Sequence, residues 1–306
     1  MKHWYRHFGL GNRFTVNSLL RRVKQKLTKS KRQADIEAYL KGGKKPWSRG
    51  YKASKFDFIQ AALKDDALVE KFRCSDVLPK GYGYGYDERV VEYPWVLSRL
   101  GEGKSKLLDA GSAFNFPEII ESPKLAGKDI TIFTLAPESK AFWEKGISYH
   151  YGDLREMPFK DGWFDEIVSI STLEHVGMNN QMYTRQNPSE RIALEAKQAA
   201  RELIRILRVG GKFLASVEFG RHQLIECDGT PFAEQFDSLL LEDLLTVFSS
   251  CESVSKSFYK YTENGWNLST EQDCRGVEYF NIHTAKSYDS DNAAAARAVV
   301  LIEVIK

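Results

Sequence analysis

The chain has 306 residues, of which 42% are hydrophobic and 28% charged, and its formal net charge is +3. This composition is that of an ordinary globular protein and excludes a fibrous or largely disordered one. No run of about 20 apolar residues is present to span a bilayer, and the first residues lack the apolar centre of a secretion signal. The sequence therefore predicts a cytoplasmic protein.

The first 55 residues are strongly basic. They contain 16 Lys and Arg but only Asp35 and Glu37 as acids. Residues 15–27 place apolar side chains at helical spacing between basic ones, which predicts an amphipathic cationic helix. Residues 1–55 are therefore suited to bind an anionic membrane surface or a phosphorylated substrate, and nucleic acid is a weaker candidate. Binding to a membrane surface would make the protein peripheral to the membrane. The alternatives are that these residues form a solvated arm, or that the helix docks on the protein's own body or on a second subunit.

From residue 104 onward, short apolar runs alternate with helical segments, which predicts a parallel sheet covered by helices. The expected strands are 106–110, 130–135, 147–151, 165–171, 212–218, 252–260 and 298–305. The clearest helix is predicted from Ser189 to Leu207, with its end marked by Gly210 and Gly211. The chain thus divides into a basic helical N-terminal extension and cap (1–100) and an α/β domain (101–306) with an insert around 220–297.

The first predicted strand ends in a turn suited to a nucleoside-bearing cofactor. Leu107 and Leu108 lead into Asp109, Ala110 and Gly111, and a helical segment follows. Parallel α/β sheets hold such cofactors where a strand delivers an acidic residue and a glycine to a tight turn. A helix N-cap is the structural alternative for Asp109.

Four more motifs follow this turn in a fixed order. They are Phe133-Thr134-Leu135-Ala136-Pro137-Glu138, Gly152-Asp153-Leu154, the run from Trp163 to Gly177, and the run from Leu207 to Leu214. Across about residues 105–220 this order resembles the class I S-adenosylmethionine-dependent methyltransferases. The resemblance implies a Rossmann-like seven-stranded sheet, S-adenosylmethionine as cofactor and no metal.

The resemblance also implies roles for single residues. Asp109 would support the methionine end of the cofactor, in a turn where Gly111 allows close backbone approach and Ser112 adjoins it. Glu138 would reach back to the ribose diol. Asp153 would accept the adenine amino group, with Leu154 beside the ring; a plain surface turn is the alternative.

Three residues depart from the family pattern. Ala113 and Asn115 stand where the first turn usually has further glycines, and Ala136 stands where an acidic residue usually closes the second strand. Asparagine tolerates a left-handed backbone better than most residues, so the turn can keep its shape. If Glu138 does not replace the missing acid, the affinity for the cofactor should be low.

Glu174 and His175 follow the fourth predicted strand at its carboxyl end, where α/β sheets place reacting groups. His175 has an ordinary pKa near 6.5, which suits a general base that takes the proton from an acceptor hydroxyl during methyl transfer. A packed histidine that shapes the pocket is the alternative. We therefore interpret His175 and Glu174 as the catalytic candidates.

These observations predict a methyltransferase acting on a hydroxyl of a small molecule or glycan. Pro46–Tyr51 and Glu92–Trp95, together with Asp109–Ser112, resemble a bacterial branch associated with surface-polysaccharide biosynthesis. The alternatives are an RNA methyltransferase that uses the basic arm and a non-catalytic partner subunit, which Ala113, Asn115 and Ala136 would favour. A nicotinamide-dependent dehydrogenase is disfavoured because the first turn lacks Gly-x-Gly-x-x-Gly.

Overall fold

A computed structural model describes residues 29–178 and 192–306. The predicted helix at 15–27 lies outside these residues. Four helices precede the sheet: α1 (29–41), α2 (Tyr51–Lys64), α3 (Asp66–Arg73) and α4 (Arg89–Arg99). The basic region thus continues, where it is described, into a helical segment, as predicted.

The centre of the fold is an eight-stranded sheet with the order β3-β2-β1-β4-β5-β10-β8-β9. Its first five strands are parallel, and β10, β8 and β9 run antiparallel to their neighbours. The strands of this sheet are β1 (Lys106–Ala110), β2 (Asp129–Thr134), β3 (Ser148–Tyr151), β4 (Phe164–Ile170), β5 (Leu207–Glu218), β8 (Ser253–Thr262), β9 (Gly265–Ser269) and β10 (Ala298–Ile305).

A separate hairpin and four further helices complete the described elements. The hairpin pairs β6 (Gln223–Cys227) with β7 (Thr230–Gln235). The helices are α5 (Pro117–Ile120), α6 (Ile192–Ile206), α7 (Ser238–Leu245) and α8 (Glu271–Cys274). In the part of the chain that is described, no helix combines the length and the apolar character needed to cross a membrane.

The predicted α/β architecture is confirmed, with three differences in detail. All seven expected strands are present, β9 adds an eighth to the sheet by folding back on β8, and β6 and β7 form a hairpin of their own. Helix α6 ends at Ile206, four residues before Gly210, and Leu207 already pairs with Phe164. Gly210 has φ +68, and the register between β4 and β5 shifts across Gly210 and Gly211, whose backbone pairs with Lys306. The two glycines thus form an irregular turn inside β5 instead of following the helix directly.

Both faces of the sheet are buried, so its central strands are almost wholly apolar. On β10, Val299 and Leu301 belong to the apolar cluster that includes helices α2 and α4. Val300 and Ile302 alternate with them and belong to the opposite cluster, which contains α6 and α7. The N-terminal helices thus pack directly on the sheet, and one of them, α4, reaches the carboxyl edge of its strands.

Helix α4 contains a proline whose missing N–H is compensated. Pro94 lies inside the helix and cannot donate to the carbonyl of Val90. The buried hydroxyl of Tyr82 donates to that carbonyl instead, at 2.7 Å. The helix therefore stays continuous and carries Glu92 and Tyr93 over the sheet.

Candidate active site

Strands β1 and β4 are neighbours at the centre of the parallel part of the sheet. From β1 the chain continues to one side through β2 and β3, and from β4 it continues to the other side through β5, so the strand order reverses between β1 and β4. In open α/β sheets, ligands bind in the crevice outside the carboxyl ends of the strands at such a switch point. Two turns meet there: residues 109–115, which leave β1, and residues 171–175, which leave β4. All the sequence-predicted site residues lie at or beyond the carboxyl ends of β1, β2, β3 and β4.

Asp109 is fully buried and holds the first turn together. Its two carboxylate oxygens accept the backbone N–H groups of Ala113 at 3.0 Å and Phe114 at 2.7 Å. Burial raises the pKa of Asp109 to about 7, against the effect of these two donors. Asp109 thus has the geometry of a backbone cap, and its predicted support of the methionine end of the cofactor stays a prediction.

Gly111 and Ser112 form the tightest part of the turn. Gly111 has φ +115, and a Cβ there would lie 2.1 Å from Thr172 Oγ1 in the neighbouring turn. Ser112 has φ +65, is 8% exposed, and its hydroxyl has no hydrogen-bond partner in residues 29–178 and 192–306. A buried hydroxyl without a partner is costly unless a ligand supplies one. This atom therefore fits a polar cofactor group.

Asn115 joins the first turn to the end of β2. Its Nδ2 donates to Glu138 Oε2 at 2.8 Å and to the Lys140 carbonyl at 3.1 Å, and its Oδ1 accepts from the Tyr149 hydroxyl at 2.9 Å. Glu138 thus contacts the first turn through Asn115, and its contact with the ribose diol stays a prediction. Its exposed carboxylate lies at the edge where the ribose contact is predicted.

Asp153 follows β3 and is held by its near neighbour Arg155. Its Oδ1 accepts from the backbone N–H and Nε of Arg155, both at 2.9 Å, and its Oδ2 pairs with the same guanidinium. Although burial acts to raise the pKa of Asp153, these hydrogen bonds lower it below its usual value. Leu154 is half-buried against the α6 side of the core. If Asp153 contacts the adenine, its carboxylate therefore has to accept the adenine amino group while it remains paired with Arg155.

Glu174 and His175 lie in the turn after β4. Both carboxylate oxygens of Glu174 are buried without a partner among the described residues. Burial raises the pKa of Glu174 to about 8. The Nδ1 of His175 lies 2.6 Å from the Phe232 carbonyl on β7, and the two rings stack. Because a carbonyl only accepts, Nδ1 carries the proton, and Nε2 is the basic nitrogen of the neutral ring.

The residues that sequence reasoning missed lie beside Glu174. Glu92 of α4 is fully buried, and its Oε1 accepts from the hydroxyls of Ser171 and Ser216, each at 2.6 Å, which ties the helix to the ends of β4 and β5. Its other oxygen pairs with Arg89. Burial raises the pKa of Glu218, the last residue of β5, well above its usual value, and the charge of Glu174 adds to the shift.

The same region borders an open depression of about 530 Å³ between β6 and residues 279–289. Tyr279 lines it, and burial together with the nearby charges of Glu218 and Glu88 raises the pKa of Tyr279. This depression does not include Asp109, Glu138 or Asp153. Across residues 29–178 and 192–306, no group of three or more His, Cys, Asp or Glu side chains is arranged to hold a metal ion.

A family model matches part of the chain. Residues 120–215 match a family model described as a methyltransferase domain, a range that begins after the Asp109 turn. No curated protein gives a significant match.

Solved structures that are similar to this chain include methyltransferases of low sequence identity. One from Thermotoga maritima, an S-adenosylmethionine-dependent methyltransferase, is 14% identical, with 82% of this chain and 100% of that chain covered and a TM-score of 0.42. Another, from Methanosarcina mazei, is 14% identical, with 68% and 96% covered and a TM-score of 0.42. A third, the 1,6-didemethyltoxoflavin-N1-methyltransferase of Burkholderia thailandensis with bound S-adenosylhomocysteine, is 14% identical, with 80% and 88% covered and a TM-score of 0.42.

The assignment depends on the motif order, the parallel sheet with its switch point between β1 and β4, and the matched domain. Residues 120–215 of this chain therefore lie in a methyltransferase domain that is built on a Rossmann-like sheet.

Proposed function

We propose that the protein methylates a hydroxyl group of a small molecule or glycan, with S-adenosylmethionine bound at the switch point between β1 and β4. The observation that carries this proposal is the meeting of the two turns there, where Gly111 contacts Thr172. One turn offers the predicted cofactor contacts and the other offers Glu174 and His175. The acceptor would then lie at the ends of β4 and β5.

The cofactor would be held by residues on three neighbouring strand ends. The unpartnered Ser112 hydroxyl is suited to a polar group of the methionine end, close to the turn that Asp109 caps. Glu138, held near the turn by Asn115, is suited to the ribose diol, and Asp153 and Leu154 to the adenine. S-adenosylmethionine supplies an electrophilic methyl group bonded to a sulfonium.

His175 would act as the general base. Burial lowers the pKa of His175 below its usual value, against the effect of the Phe232 carbonyl, so the ring is neutral near pH 7. Its Nε2 would take the proton of the acceptor hydroxyl as the oxygen bonds to the methyl carbon and the carbon–sulfur bond breaks. The hydrogen bond from Nδ1 to Phe232 fixes the ring orientation that this step needs.

The wider setting of the reaction belongs to the same proposal. The motifs Pro46–Tyr51 and Glu92–Trp95 favour a glycan acceptor in bacterial surface-polysaccharide biosynthesis. A cytoplasmic enzyme whose basic residues 1–55 contact an anionic membrane or a phosphorylated substrate would suit that role. Residues 1–100 would then form a cap over the domain at 101–306, with the insert at 220–297 shaping the acceptor side.

Transfer of a labelled methyl group from S-adenosylmethionine to sugars and small alcohols tests the proposal. We expect turnover that falls at least 100-fold in His175→Gln while S-adenosylhomocysteine still binds, because a positioned base contributes about 10² to 10⁴ in rate. The matched control is His150→Gln, which changes an exposed histidine on β3 and should leave turnover intact. Full turnover in His175→Gln would contradict the base, and no cofactor binding at all would favour the non-catalytic alternative.

A further inference from the structure

Five carboxylates gather around the acceptor side of the proposed site. This acidic cluster consists of Asp87, Glu88, Glu92, Glu174 and Glu218. Asp87 and Glu88 precede α4, Glu92 lies in its first turn, Glu174 follows β4, and Glu218 ends β5. Because Glu92 bonds to serines at the ends of both strands, these elements meet at one place.

Within residues 29–178 and 192–306, two of these carboxylates have a cationic partner. Lys55 pairs with Asp87, and Arg89 pairs with Glu92. Glu88, Glu174 and Glu218 have no ion pair or side-chain hydrogen bond among the described residues. The charge of Arg89 also lowers the pKa of all three, but its guanidinium is already paired with Glu92. In that part of the chain, the five carboxylates of the cluster thus have only two cationic partners, Lys55 and Arg89.

These three side chains are deeply buried. Glu174 is 1% exposed, Glu218 5% and Glu88 6%, and each has at least one carboxylate oxygen that is shielded from solvent and lacks a donor among the residues that the structure describes. A buried carboxylate that lacks a hydrogen-bond donor destabilises the folded protein, whereas a buried carboxylate that is paired and hydrogen-bonded avoids this cost. Such an arrangement is typical of a site whose missing partner is a ligand.

An organic ammonium group has the chemistry that this arrangement lacks. It carries one positive charge and three N–H donors, and here three carboxylates each offer an acceptor. Burial raises the pKa of all three acids, and a bound ammonium would favour their ionised, accepting form. A neutral hydroxyl would donate to at most one of them and would not favour the ionised form. The cluster lies near the open depression, because Tyr279 lines the depression and the charges of Glu218 and Glu88 raise the pKa of Tyr279.

We propose that the acceptor carries a protonated amino group, and that Glu88, Glu174 and Glu218 bind it. This inference rests on the proposed function, because it assigns the cluster to the acceptor of methyl transfer. The substrate class is thereby narrowed to amino alcohols and amino sugars, in which the bound amine directs a nearby hydroxyl toward the cofactor.

Calorimetric titration of the full-length protein with paired probes tests this inference. Each pair differs by one amino group: glucosamine against glucose, and 2-aminoethanol against ethylene glycol. The titrations are made with and without saturating S-adenosylhomocysteine. The variants are Glu174→Gln and Glu218→Gln, which keep the shape of the side chain, and the control is Glu263→Gln, an exposed acid in the turn between β8 and β9.

We expect the amine of at least one pair to bind at least ten-fold more tightly than its neutral counterpart, as for hydrogen bonds to a charged group. Both glutamine variants should remove this preference while thermal unfolding shows them folded, and Glu263→Gln should retain it. The inference would be overturned if the two members of each pair bound equally, or if neither amine bound. It would also be overturned if the preference survived in both variants, or if Mg²⁺ bound more tightly at the same carboxylates. Failure of S-adenosylhomocysteine to bind would instead refute the proposed function, and amine binding without it would still be measured.

Discussion

Replacing Gly111 by alanine tests how closely the two turns of the switch point approach each other. The added Cβ would lie 2.1 Å from Thr172 Oγ1, 2.5 Å from its Cγ2 and 2.8 Å from its Cβ. Close-packed interiors do not accommodate such overlaps, so one of the two turns has to move. The φ of +115 adds backbone strain for any residue with a side chain.

The expected cost has two parts. Overpacking of a buried site costs about 1 to 3 kcal/mol, and the positive φ adds about 1 to 2 kcal/mol. We therefore expect Gly111→Ala to lower the free energy of unfolding by about 2 to 5 kcal/mol. Because residue 111 also belongs to the proposed cofactor turn, affinity for S-adenosylhomocysteine should fall as well.

Urea unfolding followed by tryptophan fluorescence measures this cost. Gly103→Ala is the matched control, since Gly103 has φ +80 but a Cβ added there would meet no described atom within 4 Å. It should therefore lose only about 1 to 2 kcal/mol. Adding Thr172→Gly to Gly111→Ala should recover at least about 1 kcal/mol beyond additivity. Equal losses at Gly111 and Gly103, with no coupling to Thr172, would refute the packing of the two turns.

Three further predictions concern buried polar groups. Because the pKa of Glu174 is raised to about 8 in the folded protein, the folded state keeps a proton that the unfolded state releases, and wild-type stability falls as pH rises from about 4.5 to 8. Glu174→Gln should remove this loss. In urea titrations, the free energy of unfolding of the variant relative to that of the wild type should therefore rise by up to about 4 kcal/mol between pH 5 and pH 9. A difference that stays constant with pH would contradict the burial of an unpaired acid. Asp109→Asn places an amide donor against one of the two backbone N–H groups that the carboxylate accepts. Thermal unfolding should show a free energy of unfolding that is lower by about 1 to 3 kcal/mol, and an unchanged midpoint would contradict the capping geometry. Tyr82→Phe should cost about 1 kcal/mol, and adding Pro94→Ala should recover part of it because the new N–H can reach the Val90 carbonyl; strictly additive effects would contradict the compensation.

The central strands could be predicted because their environment is simple. A strand buried on both faces of a parallel sheet is nearly continuous in Val, Ile and Leu, and this pattern locates β1, β4 and β10 to within about two residues. The first turn was likewise readable, since an acidic residue and a glycine after a strand have few other roles.

Two hairpins were missed although the chain carries their turn signals. Asp228 and Gly229 join β6 to β7 with φ +52 and +74, which is the pairing that a two-residue hairpin favours. The sequence Asn264-Gly265 marks the turn between β8 and β9, where Gly265 has φ +81. These dipeptides indicate β6, β7 and β9 within the insert at 220–297, in addition to the strand expected at 252–260.

The acidic cluster could not be predicted, because its members come together only in the folded chain. The hydrogen bonds of Glu92 reach Ser171 and Ser216, which are 79 and 124 residues away in sequence. In the sequence, Glu92 stands in a motif that carries a family resemblance, and Glu218 marks only the end of a predicted strand. Local patterns show which residues are apolar or turn-forming, but not which buried acid lacks a partner.

Calorimetric titration of the full-length protein with S-adenosylmethionine tests the central claim most directly. Glu138→Gln should weaken binding at least ten-fold, since a hydrogen bond to a charged group is lost, while Glu144→Gln, an exposed acid that follows β2, should not. The account predicts one cofactor bound per chain, with this dependence on Glu138. No heat of binding with millimolar S-adenosylmethionine would contradict it.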